Sequence, residues 1–268
     1  MPGLPAILAL VAVAAILAEI AWSRCSDRRV YTLRESLSNL AMMAVNRLLR
    51  PLVLAWGFLV LMLVEALQPY RLPDTGWAFL LTFLLTDFAY YWYHRLSHEL
   101  PLLWTMHYTH HSSPWLNLTT AMRLNWIAKF IGPLFFAPLV LLGMSPAFII
   151  ASLALGLAWQ FFLHTEAIGR LGWLEGKLLN TPSAHRVHHG QNVRYVDRNF
   201  AGALIIWDRL FGTYEPETER VRYGVNSGFA GHNPLVIQFL PLWKYIRGEW
   251  YAEKQIAAAR TAPQHGAG

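Results

Sequence analysis

Nine of the eleven histidines in this 268-residue chain fall in two stretches, and their spacing is that of metal ligands. HRLSH places His94 and His98 four residues apart, and HYTHH holds His107, His110 and His111. HRVHH repeats the latter pattern with His185, His188 and His189, and His164 stands in QFFLHTE. Residues three and four apart share one helix face, with β-carbons roughly 5–6 Å apart, so two or three imidazoles on such a face can converge on one ion. Histidine is also the commonest side-chain metal ligand near neutral pH. A single HxxH or HxxxH means little, since most such pairs are ordinary surface or core histidines. Three such groups, two of identical form and each near the edge of an apolar run, define eight expected ligands. His164 is a ninth, against the plainer reading of a helix-end histidine bonded to backbone. His232 and His265 are isolated and are read as non-ligands.

A structural zinc site uses four ligands and a catalytic one three plus water. Eight or nine histidines exceed one such ion and suit two, with four or five each. Imidazole accommodates zinc, copper, iron and nickel alike, so ligand type does not decide the metal. Position narrows it. A dinuclear site at the mouth of a helical membrane bundle is badly placed for polar substrates and well placed for an acyl chain entering from lipid. Oxidising unactivated C–H bonds needs a redox metal and dioxygen, which points to iron. No catalytic residue beyond the ligands is assigned.

Ligating histidines usually donate their second N–H to a carboxylate or carbonyl. Glu99, one residue after His98, and Glu166, two after His164, are candidates for that role, with ordinary surface charge as the alternative. Asn117, Asn180, Asp197 and Asp208 are further candidates, although Asp208 in WDRLFGT also suits a turn. Asp87 lies inside an apolar run, where an ionisable side chain marks function by default. It shares a helix face with His94 but stands about 10 Å from it, so a polar partner on a neighbouring helix is expected. The run Phe88, Tyr90, Tyr91, Trp92 and Tyr93 reads as an interfacial aromatic belt, with a substrate channel as the alternative.

The elements that must position these residues are helices in lipid. The chain is 55% hydrophobic and 14% charged, against about a quarter charged in a soluble domain. Five apolar runs, at residues 4–22, 52–67, 76–93, 126–142 and 147–163, approach the roughly 20 residues that cross a bilayer as helix. No Lys or Arg precedes the first run, and Arg24, Arg28, Arg29, Arg34, Arg47 and Arg50 follow it, which places that loop in the cytoplasm. Counting forward puts residues 68–75 and 143–146 outside, and residues 94–125 and 164–268 inside. Every clustered histidine then belongs to one cytoplasmic cap. The first run lacks a basic leader and a small-residue cleavage site, so it reads as a retained span rather than a signal peptide. The net charge of +6 sits mostly beside apolar runs, where anionic headgroups explain it, and no nucleic-acid partner is expected. The single Cys25 excludes an internal disulfide framework and cysteine-based metal sites. One domain over residues 1–268 is expected, frayed at residues 261–268.

The three boxes resemble those of the fatty acid hydroxylase and sterol desaturase superfamily. The likeness continues through HHSSPWLNLTTAMR, QFFLHTEAIGRLGWLEGKLLNTPSAHRVHHGQN and NFAGALIIWDRLFGTYEPE, and in these it is most similar to the alkylglycerol monooxygenase branch and its bacterial relatives. It covers roughly residues 80–215; the first two apolar runs carry little of it. The resemblance implies a helical bundle with a cytoplasmic cap, two non-haem irons, and hydroxylation or desaturation of lipids. It carries the eight box histidines over as ligands and His164 as a ninth. Members of that branch are longer and use tetrahydrobiopterin. This stretch shows neither their additional membrane region nor a fused haem domain, so a separate electron donor or small external reductant is expected.

The resulting expectation is an all-α integral membrane protein with four to five spans, in a bacterial inner membrane or the endoplasmic reticulum. Its cap holds two iron ions that use dioxygen as co-substrate to hydroxylate a membrane lipid. The nearest rival is a desaturase on the same ligands. A metal-handling membrane protein would need ligands at midplane depth, and a zinc hydrolase would be expected to show HExxH or GxSxG. The lipid, the donor's identity and the oligomeric state are not legible.

Overall fold

All five apolar runs become helix in the computed structural model, which describes residues 3–249; His265 and residues 261–268 lie outside the described residues. The helices are α1 (Leu4–Cys25), α2 (Leu33–Glu65), α3 (Gly76–Glu99), α4 (Pro101–His111), α5 (Ala128–Leu141), α6 (Pro146–Leu163), α7 (Pro182–His188), α8 (Ile206–Leu210) and α9 (Pro234–Ile246). Among the described residues there is no strand, only two isolated β-bridges. Proline occupies the first turn of α1, α4, α6, α7 and α9, where its missing N–H costs nothing and its fixed φ suits the helix. Thr181 and Asn233 cap α7 and α9 by accepting from Ala184 N (3.2 Å) and Leu235 N (3.0 Å).

Three helices are long and apolar enough to cross a membrane: Ala6–Cys25 within α1, all of α2, and α6. The shorter α5 has 14 residues, about 21 Å, with Pro133 and Pro138 inside it. Although α3 has 24 residues, it buries Thr82, Thr86 and Asp87 and falls outside that group. By length and composition, then, three of the five apolar runs lie in described helices that qualify. The second apolar run proves to be the far half of α2. The near half of that helix buries Glu35, Ser38, Asn39 and Asn46 against the cap. Leu10, Leu17, Leu63 and Leu155 are among the many large apolar side chains exposed along α1, α2 and α6, a surface suited to lipid.

The two ends of the bundle differ in chemistry. At one end the 68–75 and 143–146 turns interlock: Leu72 N donates to Gly143 O (2.9 Å) and Gln68 Nε2 to Val140 O (2.7 Å). Gly143 has φ +91°, and a Cβ there would lie 2.6 Å from the Tyr70 ring, so only glycine fits. The apolar core beside this end joins Val60, Leu61, Phe136, Val140 and Ile149. At the other end α3 and α6 deliver their histidine-bearing C-termini to the cap. There Glu19 of α1 accepts from Leu118 N (2.8 Å) and from the Tyr31 and Thr165 hydroxyls. Arg123, fully buried, donates to Glu35 of α2 at 2.7 Å.

Candidate metal centre

Each cluster of histidines rides on a helix end. His94 and His98 occupy the last turns of α3, His107, His110 and His111 the last turns of α4, and His185 and His188 lie in α7 with His189 capping it. His164 caps α6. The structure gathers these nine residues into two groups that could each hold an ion, His94, His98, His107, His111 and His188 in one and His110, His164, His185 and His189 in the other, with donor atoms all within 4.8 Å of one another in each.

The groups do not follow the sequence boxes. Pairs four apart stay together (94 with 98, 107 with 111, 185 with 189), while the residues at the third step, His110 and His188, cross to the opposite group. On a helix an i,i+3 step turns about 300° and an i,i+4 step about 400°, so the two follow diverging lines down the face. The alternation binds α4 and α7 to both groups.

A metal fits this arrangement. In the first group Nε2 of His107 lies 2.9 Å from that of His94 and 3.2 Å from that of His111. In the second, Nε2 of His164 lies 3.1 Å from that of His110 and 3.0 Å from that of His185, which is 3.2 Å from that of His189. Two ligand nitrogens at right angles, each about 2.1 Å from an ion, stand about 3.0 Å apart. The opposite ring nitrogens are already committed: Nδ1 of His94 donates to Phe200 O (2.6 Å), that of His164 to Gln160 O (2.8 Å) and that of His188 to Arg198 O (3.0 Å). The facing Nε2 atoms of these rings therefore carry lone pairs. Nε2 of His98 and of His188 are buried with no hydrogen-bond partner, an arrangement costly in a folded protein unless an ion takes them.

Burial disfavours the protonated form of an imidazole. It lowers His94 to about 3 and His164 to about 4, and takes His107, His110, His111, His185, His188 and His189 well below the ordinary value, with neighbouring imidazoles adding to the effect in most of them. An unfolded histidine takes a proton near 6.5, so below that pH the unfolded chain binds more protons and the metal-free fold loses stability as pH falls. The loss continues toward the depressed folded values. The thermal midpoint of metal-free protein should therefore drop steadily from pH 7 to pH 5; a flat midpoint would contradict neutral, buried rings.

The residues expected to orient the rings have other partners, with one exception. Glu99 pairs with Arg95 (2.7 Å) and Glu166 with Arg28 (3.7 Å). Asn117 donates to Val30 O and accepts from Thr119. None of the three reaches a histidine ring, because their side chains are taken up in the cap surface and its loops. Asn180 donates to Ala201 O (2.7 Å). Asp208 accepts from Phe200 N (2.7 Å), Ala201 N (2.8 Å) and the Thr213 hydroxyl (2.7 Å). Asp87 accepts from Ala203 N, Leu204 N and Trp207 Nε1 at 2.8–3.0 Å, so the partner expected on a neighbouring helix is Trp207 of α8, joined by two backbone groups of the preceding loop. These last three act one step back, holding the 200–204 loop whose Phe200 carbonyl holds His94. The aromatic run makes ring contacts within the fold: Tyr91 and Trp92 meet Phe211 at 5.3 and 5.1 Å, and Tyr93 meets Phe135 at 4.9 Å. His232 lies apart, 2.8 Å from Glu35.

The exception is Asp197, whose carboxylate lies 3.4 Å from Nδ1 of His98. Residues 197–200 thereby face three rings of the five-histidine group: Asp197 against His98, Arg198 O against His188, Phe200 O against His94. Most of this harness is backbone, which sequence reasoning missed because a carbonyl has no residue identity. Its one signal was VDRNF, since Asp197 and Asn199 both adopt φ +57°, a conformation in which Asp and Asn are enriched among non-glycine residues. Asp197→Ala should weaken the metal affinity of the five-histidine group about 10–100-fold, with Asp197→Glu retaining part of it. Metal titration of the metal-free protein measures this; unchanged affinity would show that Trp104 and Phe200, 5.0 and 5.1 Å from the His98 ring, orient it alone.

Fold and site together define a helical protein with membrane-length helices and a two-part, all-imidazole end that could hold metal. Residues 79–213 match the fatty acid hydroxylase family, and the chain belongs to it. It is 43% identical over 187 residues to alkylglycerol monooxygenase of Homo sapiens, covering 69% of this chain and 42% of that protein. Against the Xenopus tropicalis enzyme the identity is 47% over 165 residues, 62% of this chain and 36% of that protein. An ornithine lipid hydroxylase of Rhizobium tropici is 32% identical over 154 residues, 55% and 45% of the two chains. The chain spans less than half the length of each of these relatives. No solved structure matches it.

Proposed function

We propose that this chain is a dioxygen-dependent di-iron oxidoreductase that hydroxylates a membrane lipid, as a single domain with its histidine end on the cytoplasmic side. The observation that carries the reading is the five-plus-four grouping of imidazoles at one end of a bundle of apolar helices. The nine histidines His94, His98, His107, His110, His111, His164, His185, His188 and His189 are the proposed ligands. Iron, when bound, would supply the one-electron and dioxygen chemistry that side chains lack.

The chain's own residues do the rest. Both groups consist of histidines alone, so the ligands themselves carry no carboxylate to offset a cation's charge, and among the described residues Asp197 beside His98 is the one carboxylate facing a ring of either group. The carbonyls of Gln160, Arg198 and Phe200 hold rings in place, so the groups need little rearrangement to receive an ion. Tyr90, 5.5 Å from the His94 ring, and Tyr93, against Phe135 of α5, form an aromatic wall between the rings and the bundle. An apolar chain approaching the centre from the bundle would meet these rings. Reducing equivalents come from a separate donor.

The test is purified, iron-loaded protein with a reductant and a membrane lipid extract under labelled dioxygen. Dioxygen uptake and a product 16 mass units heavier carrying the label support hydroxylation. A product two units lighter would make the enzyme a desaturase, and neither iron retention nor dioxygen uptake would overturn the reading.

A further inference from the structure

A second charged cluster lies away from the histidines, on the seam where α2 packs against α5. Four contacts fix its register: Trp126 Nε1 donates to Met42 O (3.3 Å), Asn46 Nδ2 to Leu124 O (3.1 Å) and Trp56 Nε1 to Phe130 O (2.7 Å), and a Cβ on Gly57 would meet Pro133 at 3.5 Å. Lys129 is therefore held beside the stretch of α2 between Asn46 and Trp56, which carries Arg47 and Arg50. The charges that act on Lys129 are those two guanidinium groups. Lys129 is half-buried, Arg47 and Arg50 are exposed, and among the described residues no carboxylate pairs with any of the three. Three cations on one seam repel one another and call for an anion between them.

Two neighbours set the depth of this cluster. Leu48 and Leu52 flank the arginines and are 79% and 59% exposed, as lipid-facing residues would be. On the other side Trp126 packs against Phe239 of α9 at 5.8 Å. Leu235, Phe239, Trp243 and Ile246 of α9 form a stripe of exposed apolar side chains at helical spacing, the pattern of a helix lying in the membrane interface. The cations thus stand where headgroups stand.

We propose that the α2–α5 seam, through Arg47, Arg50 and Lys129, is a binding site for the phosphate of an anionic membrane lipid. A phosphate offers several acceptor oxygens to guanidinium and ammonium donors from two helices at once, and a lipid supplies the chain that covers Leu48 and Leu52. The site ties the first half of α2 to α5 in the leaflet that faces the cap. Asn125, four residues before Lys129, donates to the Thr109 hydroxyl (3.3 Å) beside His110, so the seam adjoins the metal-bearing helix α4.

The test uses the full chain in neutral detergent, without iron or reductant, titrated separately with dioctanoyl phosphatidic acid, dioctanoyl phosphatidylcholine and inorganic phosphate. Phosphatidic acid is expected to bind at least about tenfold more tightly than phosphatidylcholine. Lys129→Gln is expected to weaken it about fivefold to tenfold, and Lys129→Arg to retain it. Arg24→Gln removes an exposed cation in the last turn of α1, off the seam, and should leave the affinity unchanged. Equal binding of the two lipids would overturn the proposal, as would no effect of Lys129→Gln or an equal effect of Arg24→Gln, which would mean diffuse surface charge. Phosphate that binds alone as tightly and competes fully would make the seam a site for the free anion rather than a lipid. Because iron and dioxygen are absent, these results stand independently of whether the hydroxylase reading holds.

Discussion

Replacing His188 by alanine should lower the bound metal from about two ions per chain to about one, and replacing His185 should do the same by emptying the other group. The two residues sit three apart in one short helix, yet His188 belongs with His94, His98, His107 and His111, and His185 with His110, His164 and His189. Loss of a partner one step removed from an ion already costs about 10–100-fold in affinity, so loss of a ligand should cost at least as much. Turnover in both variants should fall to background, because the proposed chemistry uses both ions. Double variants separate the geometry from the sequence. His98→Ala with His188→Ala removes two ligands of one group and should still leave about one ion. His185→Ala with His188→Ala removes one ligand from each group and should leave almost none. Metal analysis of the purified variants reads the difference directly; equal retention in the two doubles would refute the crossed grouping.

Arg123→Ala should be the most damaging single substitution outside the histidines. The Arg123 side chain is fully buried and makes five hydrogen bonds: Nη1 to Glu35 (2.7 Å) and to Asn39 (3.1 Å), Nε to Thr109 O (2.9 Å) and to the Ser112 hydroxyl (3.1 Å), and Nη2 to the same hydroxyl (2.9 Å). Truncation leaves the Glu35 carboxylate buried with only His232 beside it. Breaking one side of a buried pair costs about 3–5 kcal/mol, which for a chain of this size lowers the thermal midpoint by about 10 °C. Arg123→Lys should recover little, since an ammonium cannot reproduce the planar fork. Glu35→Leu added to Arg123→Met should recover part of the loss, because no charge is then left unpaired. A midpoint within a degree or two of the parent would show that the pair contributes nothing.

Much of the centre was legible before folding. Side-chain chemistry and 3–4 spacing are local properties, so the eight box histidines, the separateness of His232 and the helical character of all five apolar runs could be read from the chain. His164 was harder, since one histidine at a helix end has a bland explanation. Carboxylates were the weakest part of the reading. Glu99 and Glu166 are near histidines in sequence, and nearness proved a poor guide: consecutive residues on a helix, such as His98 and Glu99, point in different directions, and Glu166 lies past the end of α6. Asp197 is eight residues beyond His189 and ninety-nine beyond His98, yet it alone among the candidates faces a ring. Asp87 was singled out as an ionisable residue inside an apolar run, but its partners lie more than a hundred residues away, in a loop and helix of no marked composition.

The sequence by itself determined which histidines cluster and the helices that carry them, because composition, hydrophobic period and i,i+4 spacing act within one segment. Only the tertiary structure decided which histidine shares a group with which, since that depends on how the ends of α3, α4, α6 and α7 converge. It alone decided that backbone carbonyls of Gln160, Arg198 and Phe200 orient the rings, because every residue but proline carries the same backbone groups. It also placed Arg123 on Glu35 and Lys129 beside two arginines, contacts between segments about eighty to ninety residues apart, which no local pattern records.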